Sequence, residues 1–298
     1  MAIDFQLSLN TLGNGSIAYY AKLAGADQSR ITVGFRTLYQ GNYGLYNIQT
    51  IQNLKYLPSD YENEYGFWAY FIYPTAMAES KGSFFCLNTY DSARFTFGFM
   101  QFGAHVPNGD FVTFFKALLN LPNAKEYFPK IRLLDNRIFY LGDNGVYAQL
   151  EDDTSTTKLM DYLNPSLSEI EHQEHICSAR MVHWAMYDPA HRKIQVNTAI
   201  ENFKKNMIDY NNRFNLNNAP AKVCQIICDI RHQGRAKNDE IALALNTNGN
   251  WDKAYSNLLG INYFQYKTRI DTVKNTIANP LSQGMFDKVY DSEQNSFH

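Results

Sequence analysis

A mainly α fold of the α+β kind is what this sequence predicts: a helical domain with a small β element and an N-terminal elaboration. Three observations point there. Apolar residues recur at helical spacing from residue 65 onward. The C-terminal half alone offers six such stretches. Strand-like runs are short and lie before residue 57, around 87–102 and around 132–150. Residues 1–57 then form a subdomain or lobe and residues 58–298 the main domain, unless both belong to one continuous domain.

In order along the chain, Ile31 to Leu38 reads as a strand and Gly41-Asn42-Tyr43-Gly44 as a turn. From Tyr65 the pattern is helical, with Trp68, Phe71, Ile72 and residues 75–78 on one stripe. Pro74 kinks or restarts that helix, and Gly82 is placed to end it. Residues 87–102 read as a turn or small β element. Asn108-Gly109-Asp110 caps a helix over 111–121 that Pro122 stops. A hairpin is expected around Gly142-Asp143-Asn144-Gly145, and a loop over 151–157. Helices follow over 168–187, 194–211, 221–232, 238–245, 251–258 and 263–278, with a frayed tail after residue 283.

Composition narrows the function. The 298 residues carry a net charge of −2 and no basic block longer than three residues, so no nucleic-acid footprint is expected. No apolar run reaches the roughly 18 residues of a membrane span, and no membrane insertion is expected. The first ten residues show no secretory signal. Cys86, Cys177, Cys224 and Cys228 are expected as free thiols, consistent with synthesis in a cytoplasm; the i,i+4 pair Cys224/Cys228 reads as one helix face. Aromatic residues make up 15%, which serves either an aromatic core or a sugar-binding surface.

The residues that carry chemistry are two carboxyls. Glu79 ends an apolar helix near Phe84 and Phe85, where burial would raise its pKa and keep a proton available. Asp91 stands twelve residues later in the polar run Asn88-Thr89-Tyr90-Asp91-Ser92, where it should stay ionised. Two carboxyls in contrasting settings are what glycoside hydrolysis uses. Asp91 serves equally as a turn residue, Glu79 as a solvated helix end, and Thr96 either holds a water or caps a turn. Arg94 pairs with Asp91 or is exposed, and Gln101 suits hydrogen bonding to a substrate.

Other constellations are weaker. His172, His175 and His183 with Glu171 and Glu174 lack the HExxH spacing of a metal site and read as a solvated helix face, so no metal or cofactor is expected. Asp229, Arg231 and His232 border a cleft, or His232 favours its helix C-terminus through the dipole. Phosphate-loop, dinucleotide and serine-hydrolase motifs are missing from the sequence.

The string Ala78-Glu79-Ser80, then Asp91, then Gly98-Phe99-Met100-Gln101 resembles the lysozyme-like superfamily, goose-type lysozymes and soluble lytic transglycosylases in particular. The resemblance covers roughly residues 65–120. It implies a lysozyme-like helical domain with Glu79 as catalytic acid and Gly98, Met100 and Gln101 lining a glycan cleft. Asp91, Arg94 and Thr96 loosely resemble the chitosanase branch. Phe102-Gly103-Ala104 stands where goose-type enzymes carry a further Asp, which leaves the water-positioning carboxylate open. The implied activity is cleavage of the β-1,4 bond between N-acetylmuramic acid and N-acetylglucosamine in peptidoglycan. Alternatives are a lytic transglycosylase, a chitosanase-like hydrolase and a non-catalytic wall-binding module. Such a protein would reach the cell wall by signal-independent export, injection or lysis; an immunity or inhibitor protein is the partner expected of an injected effector.

Overall fold

Short strands built on β-branched and aromatic residues open the chain, and helices dominate its second half. In the computed structural model, residues 2–25, 29–49, 51–279 and 284–298 are described. The order begins β1 (Phe5–Thr11), β2 (Ile17–Leu23), β3 (Ile31–Tyr39) and β4 (Asn42–Asn47). Helices α1 (Glu62–Tyr65) and α2 (Phe67–Ser80) follow, then β5 (Leu87–Asn88), β6 (Thr96–Phe97) and β7 (Phe102–Gly103). Next come α3 (Asp110–Leu119), α4 (Ala124–Tyr127), β8 (Ile131–Leu134), β9 (Arg137–Leu141), β10 (Tyr147–Gln149) and α5 (Thr157–Leu163). The remainder is α6 (His172–Tyr187), α7 (Pro189–Phe214), α8 (Ala221–Gln233), α9 (Asn238–Leu245), α10 (Trp251–Gly260), α11 (Tyr263–Ile277), β11 (Tyr290–Asp291) and β12 (Ser296–Phe297).

The expectation of a mainly α fold is corrected. Helix accounts for 47% and strand for 19%, a mixed α+β chain. Strands β1 to β7 form one seven-stranded antiparallel sheet in sequential order. Its extent is hard to see in sequence because β1 exposes most of its residues on both faces and β5, β6 and β7 are two residues long. Neither gives the period-2 alternation that announces a strand. The β3–β4 reversal sits one residue earlier than expected, at Gln40-Gly41, both at positive φ as a two-residue hairpin requires. A second such turn, Asp135-Asn136, adds β8 to the expected β9–β10 hairpin.

The chain divides into two compact units, each made of two stretches. The first comprises residues 1–55 and 83–198, the second residues 56–82 and 199–298. The N-terminal 55 residues therefore share a unit with a much later stretch. Residues 56–82 interrupt the sheet between β4 and β5, which pair across the interruption at Tyr46↔Asn88.

In the first unit α6 packs on β1, β2 and β3. Glu174, His175 and His183 belong to its buried face, which corrects the solvated-face reading for those three, while Glu171 and His172 are exposed. Phe5 meets the His183 ring at 5.1 Å and Tyr19 meets His175 at 5.0 Å. Phe95, Phe97, Phe99, Phe102, Phe111, Phe114 and Phe115 are fully buried, so the aromatic share builds core. All four cysteines are buried thiols outside any disulfide.

In the second unit α2 is apolar nearly all round and is accordingly a central helix, running through Pro74. It packs against α8 and α11. The tail is ordered rather than frayed: the Phe297 ring lies 4.8 Å from Phe71, tilted at 33°, and Phe286 meets Phe67 at 5.5 Å. Those two aromatic anchors, preceded by polar residues, are what the expectation of fraying overlooked. No helix among the described residues is long and apolar enough to cross a membrane.

Glu174 carries a cost with a definite pH signature. Its Oε1 accepts the Thr89 hydroxyl at 2.5 Å and the Leu45 N–H at 3.2 Å, while Oε2 is buried without a partner. Burial outweighs those bonds and pushes its pKa up to about 8 from 4.5. The folded state thus holds a proton that the unfolded chain releases near pH 4.5, and stability from this group is lost as pH rises towards 8. We expect Glu174→Gln to gain on wild type in denaturant midpoint between about pH 4.5 and 8, read by urea melts at several pH values; a constant difference would contradict this account.

Candidate functional site

Glu79 occupies the last turn of α2, which is closed by Lys81 in the left-handed region, with the Lys81 N–H on the Met77 carbonyl and the Gly82 N–H on the Ala76 carbonyl. The side chain is 18% exposed. It faces the Arg269 guanidinium and the His232 ring, with Arg269 Nη1 at 2.7 Å and His232 Nε2 at 3.4 Å from Oε1. This overturns the expected aromatic, proton-retaining environment. Burial, the largest single influence, would raise the pKa. The His232 hydrogen bond, the Arg269 and His232 charges and the Arg269 hydrogen bond together outweigh it and hold the carboxyl at about 2.

Arg269, on α11, continues the chain of charges. Its Nη2 donates to Asp229 Oδ1 at 2.8 Å and its Nε to Asp229 Oδ2 at 3.3 Å. Arg235 Nη1 donates to Asp229 Oδ2 at 2.5 Å. Both Asp229 and Arg235 side chains are 0% exposed. Gly234, at φ 77°, ends α8 and turns the chain so that Arg235 comes back over it. Thr75 donates to Asp229 Oδ1 at 3.1 Å, and Gln225 donates to the Thr75 hydroxyl at 3.0 Å. The result is an alternating ladder, Glu79–Arg269–Asp229–Arg235, strung across α2, α8 and α11. Each buried charge has an opposite neighbour, the condition for tolerating it.

The i,i+4 spacing of Thr75 and Glu79 on α2 and of Gln225 and Asp229 on α8 stacks these polar groups on one face of each helix. His232 follows at i+3 from Asp229. The dipole reading of His232 thus gives way to a direct partnership with Glu79. Its ring also lies 5.9 Å from Phe203. Arg269 and Arg235 were not singled out from sequence. The available signal was the polar set Gln225, Asp229 and His232 on an otherwise buried apolar helix, which demands partners.

The other expected site residues lie in the first unit, in and beside β5, β6 and β7. Asp91 is a turn residue: Oδ1 accepts the Ala93 N–H at 3.0 Å and Oδ2 the Asn88 amide at 2.9 Å. Burial raises its pKa against those hydrogen bonds, the reverse of the expected setting. Arg94 pairs with Asp161 rather than Asp91. Thr96 is buried in β6, opposite Asn88 and Gly103.

Residues 98–101 form a tight turn, with the Gln101 N–H on the Gly98 carbonyl at 3.0 Å. Gly98 has φ 88°, and a Cβ there would lie 2.4 Å from Gln195 Oε1. That same oxygen accepts the Phe99 N–H, and the Gln195 amide donates to the Phe84 carbonyl. Met100 is 0% exposed and belongs to the core rather than a cleft wall. The Gln101 amide nitrogen is turned inward on the Gly98 carbonyl at 3.0 Å and the Cys86 carbonyl at 3.4 Å, so it braces the turn. Gly98-Phe99-Met100-Gln101 is thus a structural reversal clamped by Gln195 of α7, a residue the motif does not contain.

Among the described residues no group of three or more His, Cys, Asp or Glu side chains could hold a metal ion. No protein-family model, curated protein or solved structure matches the chain.

Two outcomes follow from the ladder. Arg269→Met removes the guanidinium shared by Glu79 and the fully buried Asp229, and should cost about 3–5 kcal/mol in chemical denaturation. Glu79 has a folded pKa of about 2 against 4.5 unfolded, so its contribution is complete above pH 4.5 and disappears as pH falls through about 2. The stability gap between wild type and Glu79→Gln should therefore close over that acid window; a gap independent of pH would contradict the ion pairing.

Proposed function

We propose that the chain cleaves glycan strands in the manner of the lysozyme-like enzymes, acting on the β-1,4 bond between N-acetylmuramic acid and N-acetylglucosamine through Glu79. The supporting observation is the balance of influences on that carboxyl. Burial is the largest of them and favours the protonated form, and only the contacts with Arg269 and His232 reverse it. Arg269 has a second anchor in Asp229, through two nitrogens, and can stay bound when it leaves Glu79. A sugar that separates Glu79 from Arg269 and His232 leaves burial unopposed. The carboxyl then takes up a proton and becomes the acid that a glycosidic oxygen requires. The chain order also supports this reading, since a helix ending in Glu-Ser is followed in sequence by β5, β6 and β7 of the seven-stranded sheet, with Gly98-Phe99-Met100-Gln101 between β6 and β7.

A second reading is favoured by the ladder itself. Four charges that alternate in sign and pair with one another are what a purely structural brace would show, and the protein would then be a non-catalytic wall-binding module.

Purified sacculi digested with wild type and with Glu79→Gln, followed by mass spectrometry of the sugar ends, separate these readings. We expect release by wild type and a loss of roughly 100-fold or more in Glu79→Gln. Reducing ends identify hydrolysis, 1,6-anhydro ends a transglycosylase. Activity on chitosan alone identifies a chitosanase-like enzyme. No release from any of these glycans, or equal release by the variant, refutes catalysis through Glu79.

A further inference from the structure

The first unit contains a cavity of about 290 Å³ that takes no part in the Glu79 ladder. It lies among the residues leading into β1 and β8, strand β9, the end of α5 and the first turns of α6. Its walls are aromatic. The Tyr140 and Tyr162 rings stand 5.6 Å apart at 49° to one another, with Phe5 as a third apolar face.

Arg180 is the unusual member of the lining. Its Nε is buried with no hydrogen-bond acceptor, and no ion pair to it is found among the described residues. Its guanidinium sits 5.8 Å from the centre of the Phe128 ring. The guanidinium also bonds to the Tyr162 hydroxyl, a neutral partner, and a planar cation in such a position is matched by a carboxylate. Lys130, also in the lining, is already engaged by Asp143 at 2.5 Å. Asp4 accepts the Phe5 N–H at 2.9 Å through one oxygen and adds an acceptor for a ligand hydroxyl.

These features select a ligand class. The volume is at the lower end of the range for small-molecule sites, about 300–1,000 Å³, and suits one ring rather than a chain. The tyrosine faces call for a ring with an apolar face, Arg180 for one carboxylate, and Asp4 for a hydroxyl. We propose that this cavity binds a monosaccharide acid, a pyranose ring bearing a carboxylate, with the carboxylate on Arg180 and the ring against Tyr140 and Tyr162. The inference does not depend on the glycan-cleavage reading, since none of its residues touches Glu79, Arg269 or Asp229.

Isothermal titration of the full chain tests it, with N-acetylmuramic acid and glucuronic acid as probes. Glucose, which lacks the carboxylate, and 4-hydroxybenzoate, which lacks the pyranose, are the controls. At least one sugar acid should bind, with both controls about ten-fold weaker or worse. Arg180→Met, which removes the charge and keeps much of the volume, should weaken sugar-acid binding by about ten-fold or more. Tyr140→Ala, at a half-buried position, should weaken it independently and serves if Arg180→Met melts early. Glu79→Gln should bind as wild type does, which separates this site from the catalytic reading. Absence of sugar-acid binding at millimolar concentration, equal binding of glucose, tighter binding of 4-hydroxybenzoate, or unchanged affinity in well-folded variants each overturns the proposal.

Discussion

The second unit depends on giving each of four charges a neighbour of opposite sign in an apolar helix packing. Helix α2 is buried on nearly every side, so any polar group on it must find its partner within protein. In its C-terminal half Ser80 bonds to the Ala76 carbonyl of the same helix, while Thr75 and Glu79 are answered through Asp229: directly for Thr75, and by way of Arg269 for Glu79. Replacing such a lattice with apolar side chains often costs nothing, so stability alone does not explain why it is there. What it does impose is register. Asp229 can accept from Thr75, Arg235 and Arg269 together only if α8 and α11 meet α2 at one height.

The sheet of the first unit obeys a different constraint. Strands β4 and β5 are neighbours although 39 residues separate Asn47 from Leu87, so the chain must leave and return at nearly one place. The bridge Lys55↔Ser83 and the Tyr56 N–H on the Gly82 carbonyl at 2.8 Å close that neck. Three residues before Gly82 stands Glu79, and after the neck come the short strands whose reversal is locked by Gln195 on Gly98 and Phe99. Each carboxyl of the motif is therefore fixed by its own unit: Glu79 by the helix cap and ladder, Asp91 by its turn.

Long helices were legible because their periodicity is local. Helices α8, α9, α10 and α11 fall within two residues of the expected bounds. Helix α7 begins earlier, since Asp188 caps it through the Ala190 N–H at 2.8 Å and Pro189 is its first residue, a start signal present in sequence but unread. The sheet was largely illegible, because two-residue strands such as β6 and β7 take their identity from neighbours distant in sequence. Helix α5 was missed for a related reason: its seven residues are too few to show a period. For the candidate site, the identity of Glu79 as a carboxyl at the end of a buried helix was readable. Its electrostatics were not, because Arg269 lies 190 residues further along and nothing in a linear sequence pairs them.

That last point changes how the two carboxyls are understood. Sequence logic assigned the apolar neighbourhood to Glu79 and the polar one to Asp91. The structure inverts the sign at both, lowering Glu79 and raising Asp91. Burial acts on both and is the largest influence on each; the difference is that Glu79 has cationic partners and Asp91 has mainly neutral hydrogen-bond donors. A local sequence window reports burial well and charge partners poorly, so it errs most where a buried carboxyl is ion-paired across helices. For a proton donor this distinction is decisive. A carboxyl raised by burial alone is an acid at rest, whereas one held down by removable cations becomes an acid only when they are displaced. Glu79 is held down by such partners, so under the proposed reading its pKa, and with it the pH at which it carries a proton, is set by whatever enters beside it.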